Sequence, residues 1–465
     1  MLPVSQTVAG RPCLKSFDKN LPAPPGVGAS QYAFIPVKAS KGPMKVLITG
    51  IDGYSGWPLA LHLLSRGHDV AGLDNLVTRK RVAEVGSWSA LPILSFPKRQ
   101  EAVRRLLGKE IRFYKGDLGD WEFVREVLGA ERPDAVVHLA EQRSAPYSMI
   151  DVHHAVSTQV ENVTGTLHLL YGIKEIVPDC HLVKMGTMGE YGTPNVDIPE
   201  GFFDIEYRGR SDRLPFPRQA GSWYHWSKVF DSGDVMFATK IWNLRSTDVM
   251  QGVIYGTRTP EITDPALFTR FDFDETWGTA LNRFVAEAVL GLPITPYGQG
   301  HQIRGFIALE DSMQSLRLAI EHPAQPGEYR VFNQFDAAYS VNHLAEITKK
   351  VAEAQGIPAT IEHPPDPRVE AEQHHYYPIH EHLPALGYRR TRELEEALQE
   401  IFKDVRKYKR RLEARRHVVM PAVSWRDADN RPHLDARSPP AEPAATPAAP
   451  VAAPGSPTDP TRSPA

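Results

Sequence analysis

Lys45-Val46-Leu47-Ile48-Thr49-Gly50-Ile51-Asp52-Gly53-Tyr54-Ser55-Gly56-Trp57 decides the fold of this chain. Its first five residues form the short apolar run of a strand buried on both faces. Three glycines follow with the spacing G-x-x-G-x-x-G, and Trp57 to Leu64 then reads as a helix ending near Gly67. Strand, glycine turn and helix, in that order, are the context of a dinucleotide-binding turn. Gly50 permits the tight turn, Gly53 lets backbone approach a pyrophosphate, and Gly56 lets the helix lie close on its strand. Free amides at the helix start favour phosphate. Asp52, Tyr54 and Ser55 belong to the same turn and are placed beside the ligand.

A second strand, Asp69 to Leu73, ends at Asp74, 18 residues after Gly56. An acid there suits the ribose hydroxyls of NAD and disfavours the extra phosphate of NADP. Asn75 lies beside it, and Arg79 nearby argues mildly for NADP, so NAD is the expected cofactor. The alternation continues with strands at 111–115, 135–140, 181–185 and 246–250, and a long helix over 154–173. Asp117 follows the third of these six strands. It either contacts the adenine amino group or caps the helix opening at Asp120, with Leu118 beside it. Ligands of such sheets lie beyond the carboxyl ends of the strands. That position places Leu139, Ala140, Glu141, Arg143, Thr187 and Gln251 on the site side, with Asn162 on the covering helix.

Tyr224-His225-Trp226-Ser227-Lys228 sets a tyrosine four residues before a lysine, on one helix face. Free tyrosine titrates near pH ~10. A nearby ammonium lowers that value and makes the phenol a usable base. Beyond Gln251 the pattern mixes helices (278–290, 341–354) with strands (from 304, and 329–333), as in a smaller lobe closing on the sheet. Residues 391–416 read as one long amphipathic helix, acidic at its start and basic at its end.

The fold class expected is therefore α/β: a Rossmann-type doubly wound parallel sheet over 44–250 and a mixed α/β substrate lobe over 251–430. Residues 1–43, with seven prolines and one acid, read as a disordered leader or a transit peptide. Residues 431–465 read as a Pro/Ala-rich disordered tail. A net charge of -3 gives no reason to expect nucleic acid as a partner. No stretch approaches the ~20 apolar residues of a membrane span. Two cysteines, Cys13 and Cys180, suggest neither a disulfide framework nor a metal site. A cytoplasmic location is expected, or the plastid stroma if the leader targets the chain.

Taken together, Gly50 to Gly56, Thr187 and Tyr224/Lys228 resemble the extended short-chain dehydrogenase/reductase superfamily. The strings Glu141 to Asp151, Gly186 to Asn195, Gly278 to Phe284, Pro367 to Glu372 and Met420 to Trp425 resemble its UDP-sulfoquinovose synthase family. The resemblance covers about Met44 to Trp425. It implies an enzyme that joins UDP-glucose and sulfite with NAD held throughout, and a homodimer. The catalytic threonine, tyrosine and lysine of that family fall on Thr187, Tyr224 and Lys228, with His225 and Glu190 as its histidine and glutamate. Arg143, Thr187, Gln251, Thr279, Asn282, Arg283, Arg304 and Arg368 become candidates for the sugar and the diphosphate. Related 4,6-dehydratases place an Asp-Glu pair after the threonine. Here Met188 and Gly189 stand there, which leaves His225 and Glu190 for proton transfer at C5 and C6. Two alternatives are another UDP-sugar epimerase or dehydratase, and a non-catalytic NAD-binding regulator.

Overall fold

The computed structural model describes residues 42–368, 375–420 and 424–425. Most of the expected leader, the tail over 431–465 and the strings 369–372 and 421–423 lie outside them. The glycine-turn unit forms as read: β1 (Lys45–Thr49), α1 (Gly56–Ser65) and β2 (Asp69–Asp74). Next come α2 (Val77–Glu84), α3 (Phe96–Leu107), β3 (Arg112–Lys115), α4 (Trp121–Glu131), β4 (Ala135–His138) and α5 (Ala145–Ser148). The chain continues through α6 (Val152–Ile176), β5 (His181–Thr187), the hairpin β6 (Phe202–Tyr207) and β7 (Arg210–Pro215), α7 (Trp223–Trp242) and β8 (Arg245–Gln251).

With β11 (Tyr329–Gln334), seven strands form one sheet in the order β11-β8-β5-β4-β1-β2-β3, and every pairing in it is parallel. Successive strands run outward from β1 in one direction and from β4 in the other. The crevice between them, at the carboxyl ends, is where such a sheet takes a ligand. Leu47, Val136 and Leu182 face helices α4 and α6 through Val124, Leu128, Leu169 and Ile173 in one buried cluster. Each such side chain contributes about 1.5–3 kcal/mol by burial.

The lobe holds β9 (Val253–Tyr255), α8 (Ala280–Leu290), β10 (Ile303–Ala308), α9 (Leu309–Glu321), β12 (Ala337–Ser340), α10 (Val341–Ala354), α11 (His382–Ala385), α12 (Leu394–Lys407) and α13 (Lys409–Glu413). Two sequence expectations need correcting. β11 (Tyr329–Gln334) lies within 251–430 yet is the outer strand of the main sheet, with five of its six residues buried. The chain leaves the sheet after β8, builds the lobe around β10, and returns along α9. The helix read over 391–416 breaks at Tyr408, whose ring packs edge-on against Phe268. The long link between β2 and β3, for which no element was expected, holds α2 and α3, whose many charges hide their periodicity.

Candidate functional site

A cleft of about 550 Å³ opens over the β1/β4 crevice and runs from the glycine turn to the lobe. Gly50 takes a φ of +74°, and a Cβ there would stand 2.7 Å from the Leu139 backbone. A Cβ on Gly56 would stand 2.3 Å from the Gly50 carbonyl. Both glycines are therefore fixed by backbone packing, while Gly53, Tyr54 and Ser55 line the cleft itself.

At the end of β2 the Asp74 carboxylate accepts the amides of Asp52 at 2.9 Å and Leu76 at 2.6 Å. Burial and the neighbouring Asp52 raise its pKa to about 6. Asn75 donates to Asp117, which also accepts the Gly119 amide at 2.8 Å. Asp74, Asn75, Asp117, Leu118, Leu139, Ala140 and Glu141 all border the cleft. Asp52 and Arg79 do not. The Asp52 carboxylate takes Arg79 at 2.6 and 2.9 Å and the buried Arg99 at 2.7 Å. They brace the turn from behind, so Arg79, the residue that argued for NADP, is already committed to an aspartate.

The middle of the cleft is set by β5 and α7. Thr187 ends β5 and caps the short turn Met188–Glu190: its hydroxyl accepts the Gly189 amide at 3.1 Å while Glu190 accepts the Thr187 amide at 3.3 Å. Ser222 caps α7, accepting the His225 amide at 3.2 Å, and its hydroxyl lies 3.0 Å from His225 Nδ1. The Tyr224 amide donates to Ser148 at 3.1 Å. Asn162 on α6 borders the cleft and ties the loop after β4 to α7, through Gln142 at 2.8 and 3.0 Å and Ser227 at 2.9 Å. Thr187, Tyr224 and His225 share this wall.

Gly189 explains how His225 gets there. A Cβ built on Gly189 would stand 2.4 Å from His225 Nε2 and 2.5 Å from Cδ2. The imidazole occupies the space that any side chain at 189 would fill. The absent acidic pair and the histidine are thus two aspects of one arrangement.

Lys228 lies one turn beyond Tyr224, is fully buried, and contacts the Glu141 carboxylate. Burial draws its pKa down to about 8. The expectation that its charge lowers Tyr224 is not met here. Burial first, then the charge of Glu190, pushes the phenol well above its ordinary value. The physical reason is burial, which outweighs the one cation that favours the phenolate, Arg143.

Glu190 needs a second correction, because it lies beneath the cleft wall with no exposed surface. Arg218 stands 3.4 Å and Lys184 3.8 Å from its carboxyl. The Ser232 hydroxyl meets three groups: Lys184 at 2.8 Å, Glu190 at 2.9 Å and Asp248 at 2.6 Å. A hydroxyl owns one proton and here accepts one from Lys184, so it can donate to one carboxylate. The other must carry its own proton. Burial raises Glu190 to about 7, whereas Lys184 and hydrogen bonds hold Asp248 low, which assigns the proton to Glu190. Glu190 therefore lies under Thr187 and does not border the cleft.

On the lobe side Arg143, Gln251, Thr279, Arg283, Arg304 and Arg368 all border the cleft. Arg143 pairs with Asp272, and Arg283 pairs with Glu287 at 2.6 Å beneath the ring of Tyr297. Asn282 turns away, donating to the Asp272 carbonyl at 3.4 Å. Gln219, Trp277, Gln302, Tyr376 and Trp425 border the cleft without having been expected as site residues. They sit in loops or near chain segments with no periodic signal.

The model of the NAD dependent epimerase/dehydratase family matches residues 46–333. The chain belongs to that family. UDP-sulfoquinovose synthase from Sulfolobus acidocaldarius is 49% identical over 384 residues, 82% of this chain and 98% of the relative. The chloroplastic UDP-sulfoquinovose synthase of Spinacia oleracea is 46% identical over 394 residues, 84% of this chain and 81% of the relative. Within the family, the chain therefore groups with the UDP-sulfoquinovose synthases. Among solved structures, UDP-glucose 4-epimerase of Thermotoga maritima superposes with a TM-score of 0.59 at 21% identity, covering 78% of this chain and 99% of the other. That likeness confirms the fold.

Proposed function

We propose that the cleft converts UDP-glucose and sulfite to UDP-sulfoquinovose, with one NAD retained through the cycle. The observation that carries the reading is the meeting of Thr187, Tyr224 and His225 on one wall, between the glycine turn and the lobe arginines. The residues fit NAD: the glycine turn leaves room for a pyrophosphate, and Asp74 stands ready for ribose hydroxyls. Tyr224, Lys228 and Glu141 would hold its reactive end. Bound NAD supplies reversible hydride acceptance, which oxidises the sugar at C4 and later restores it.

Tyr224 takes the proton of the 4-hydroxyl as that carbon becomes a ketone, and Thr187 hydrogen-bonds the same oxygen. The phenol needs Lys228 for this, so a ligand that draws Lys228 from Glu141 would activate it. His225 removes the proton at C5, acidified by the ketone, and protonates the departing 6-hydroxyl. Water leaves, sulfite adds at C6, and a proton returns to C5. Arg143, Arg283, Arg304 and Arg368 supply the cations for the diphosphate. Mass analysis of purified protein given UDP-glucose with and without sulfite tests this. A sulfonated nucleotide sugar supports it; UDP-galactose or a stable 4-keto-6-deoxy sugar in its place sinks it.

The assembly reading is a homodimer. Val152, Val156, Val160, Leu167 and Tyr171 on α6 and Trp223, Phe230, Phe237 and Ile241 on α7 are exposed, with Phe237 61% open. The two helices pack side by side, so these residues form one apolar face that a second copy would cover. No helix among the described residues is long and apolar enough to cross a membrane. A cytoplasmic site of action, or a stromal one, accords with the archaeal and chloroplastic relatives.

A further inference from the structure

Trp425, the last of the described residues, supplies a side chain to the cleft that the reaction above does not use. Trp425 borders the cleft, and its amide donates to the Pro367 carbonyl at 3.0 Å. Its ring packs on a buried cluster formed by Val82, Val85, Tyr147, Ile150 and Trp277. Val82 belongs to α2 of the coenzyme half. The opposite side of the ring environment belongs to the lobe: the Arg368 guanidinium lies over Trp425, 5.6 Å from its centroid. Arg368 borders the same cleft, and its amide donates to Asp366 at 2.9 Å. Asp366 in turn accepts from Gln302, another cleft residue, at 3.2 Å.

We infer that Trp425 is a positioning residue for nucleotide-sugar affinity: it seats Arg368 against the diphosphate and links the coenzyme half to the lobe beside the cleft. The inference rests on reading the cleft as a UDP-sugar site. A long arginine side chain has many rotamers, and ordering them on binding weakens affinity. An aromatic ring anchored on a buried cluster holds the guanidinium in advance, through a cation–π contact. Tyrosine or phenylalanine at 425 would keep a face for that contact, whereas alanine would not. The ring does not belong to the Thr187, Tyr224 and His225 wall, so its effect should fall on binding and spare the chemical step.

The test uses the full chain carrying W425A, W425F, R368M and the double variant W425A/R368M. Retained NAD and the circular dichroism spectrum establish folding. UDP and uridine binding are measured by calorimetry, and KM and kcat for UDP-glucose by product formation. W425A should raise KM and the UDP Kd on the order of tenfold. It should leave kcat within about twofold and leave uridine binding unchanged. W425F should restore most of the affinity, and the double variant should be no weaker than R368M alone. An unchanged UDP Kd in W425A overturns the inference. So does equal weakening of UDP and uridine, which would make the ring a base-stacking platform, and so does additivity with R368M. If W425A fails to fold, W425L decides: it keeps apolar bulk on the buried cluster but offers no aromatic face, so its UDP Kd must rise, and an unchanged Kd overturns the inference. Failure of the wild type to bind UDP would sink the site reading itself, a distinct result.

Discussion

Replacing Gly189 by alanine would drive a methyl group into the ring of His225. The new Cβ would stand 2.4 Å from Nε2, 2.5 Å from Cδ2 and 3.1 Å from Cε1. Carbon contacts settle at about 3.5–4.0 Å, so the ring must withdraw by roughly 1 Å. It cannot slide freely, because Ser222 holds both its Nδ1 and its amide. Gly189 is not among the glycines with positive φ, so alanine brings no backbone strain and the effect is confined to the imidazole. A misplacement of about 1 Å in a catalytic group costs on the order of 10²-fold in rate. The expected outcome for G189A is a kcat lower by about that factor, with NAD retained and the melting temperature little changed. Product formation from UDP-glucose and sulfite measures it. H225A should lose about 10²–10⁴-fold, and adding G189A to H225A should cost nothing further. Wild-type turnover in G189A, or a full second loss in the double variant, would refute the account of why residue 189 lacks a side chain.

Y224F should keep its NAD and lose about 10²–10⁴-fold in turnover; absorbance of the retained coenzyme and product yield check both halves. Glu190 binds its proton more tightly in the folded chain, at about 7, than at its ordinary 4.5. Its contribution to stability therefore falls as pH rises from about 4.5 through 7 and then levels off. E190Q, which mimics the protonated acid, should flatten that part of a pH-dependent melting profile and preserve turnover better than E190A. If E190Q keeps the wild-type slope, the proton belongs elsewhere. F237E should shift the chain from dimer to monomer in sedimentation; an unchanged dimer would move the interface off the α6–α7 face.

The parts legible in the sequence were those governed by short-range rules. Lys45 to Gly56 announces strand, turn and helix because each step is local, and all three form. Val341–Ala354 likewise matches its reading because one apolar stripe faces the core. The placement of β11 could not be read this way. Tyr329–Gln334 is a strand by its own composition, but which sheet it joins depends on where α9 delivers it. Within the site, Thr187 was placed on the cleft by its strand end and Tyr224 by helix phase with Lys228, whereas His225 came from the family resemblance. Asp52, Arg79, Asn282 and Glu190 were equally plausible by position, yet their side chains turn to partners 10 to 28 residues away. No local rule encodes such pairings.

That division has a chemical consequence. In the proposed reaction the groups facing the cleft do the chemistry, and the groups behind them hold its geometry through buried charge. Lys184, Ser232, Asp248, Arg218 and Glu190 tie β5, α7 and β8 together directly under Thr187. A buried pair stripped of one partner leaves an uncompensated charge, at a typical cost of ~3–5 kcal/mol. Substitution of Lys184 by methionine should therefore lower the melting temperature and turnover together, unlike G189A, which should lower turnover alone. A K184M protein with wild-type stability and impaired catalysis would mean that Lys184 acts on the substrate's protons and not on the shape of the site.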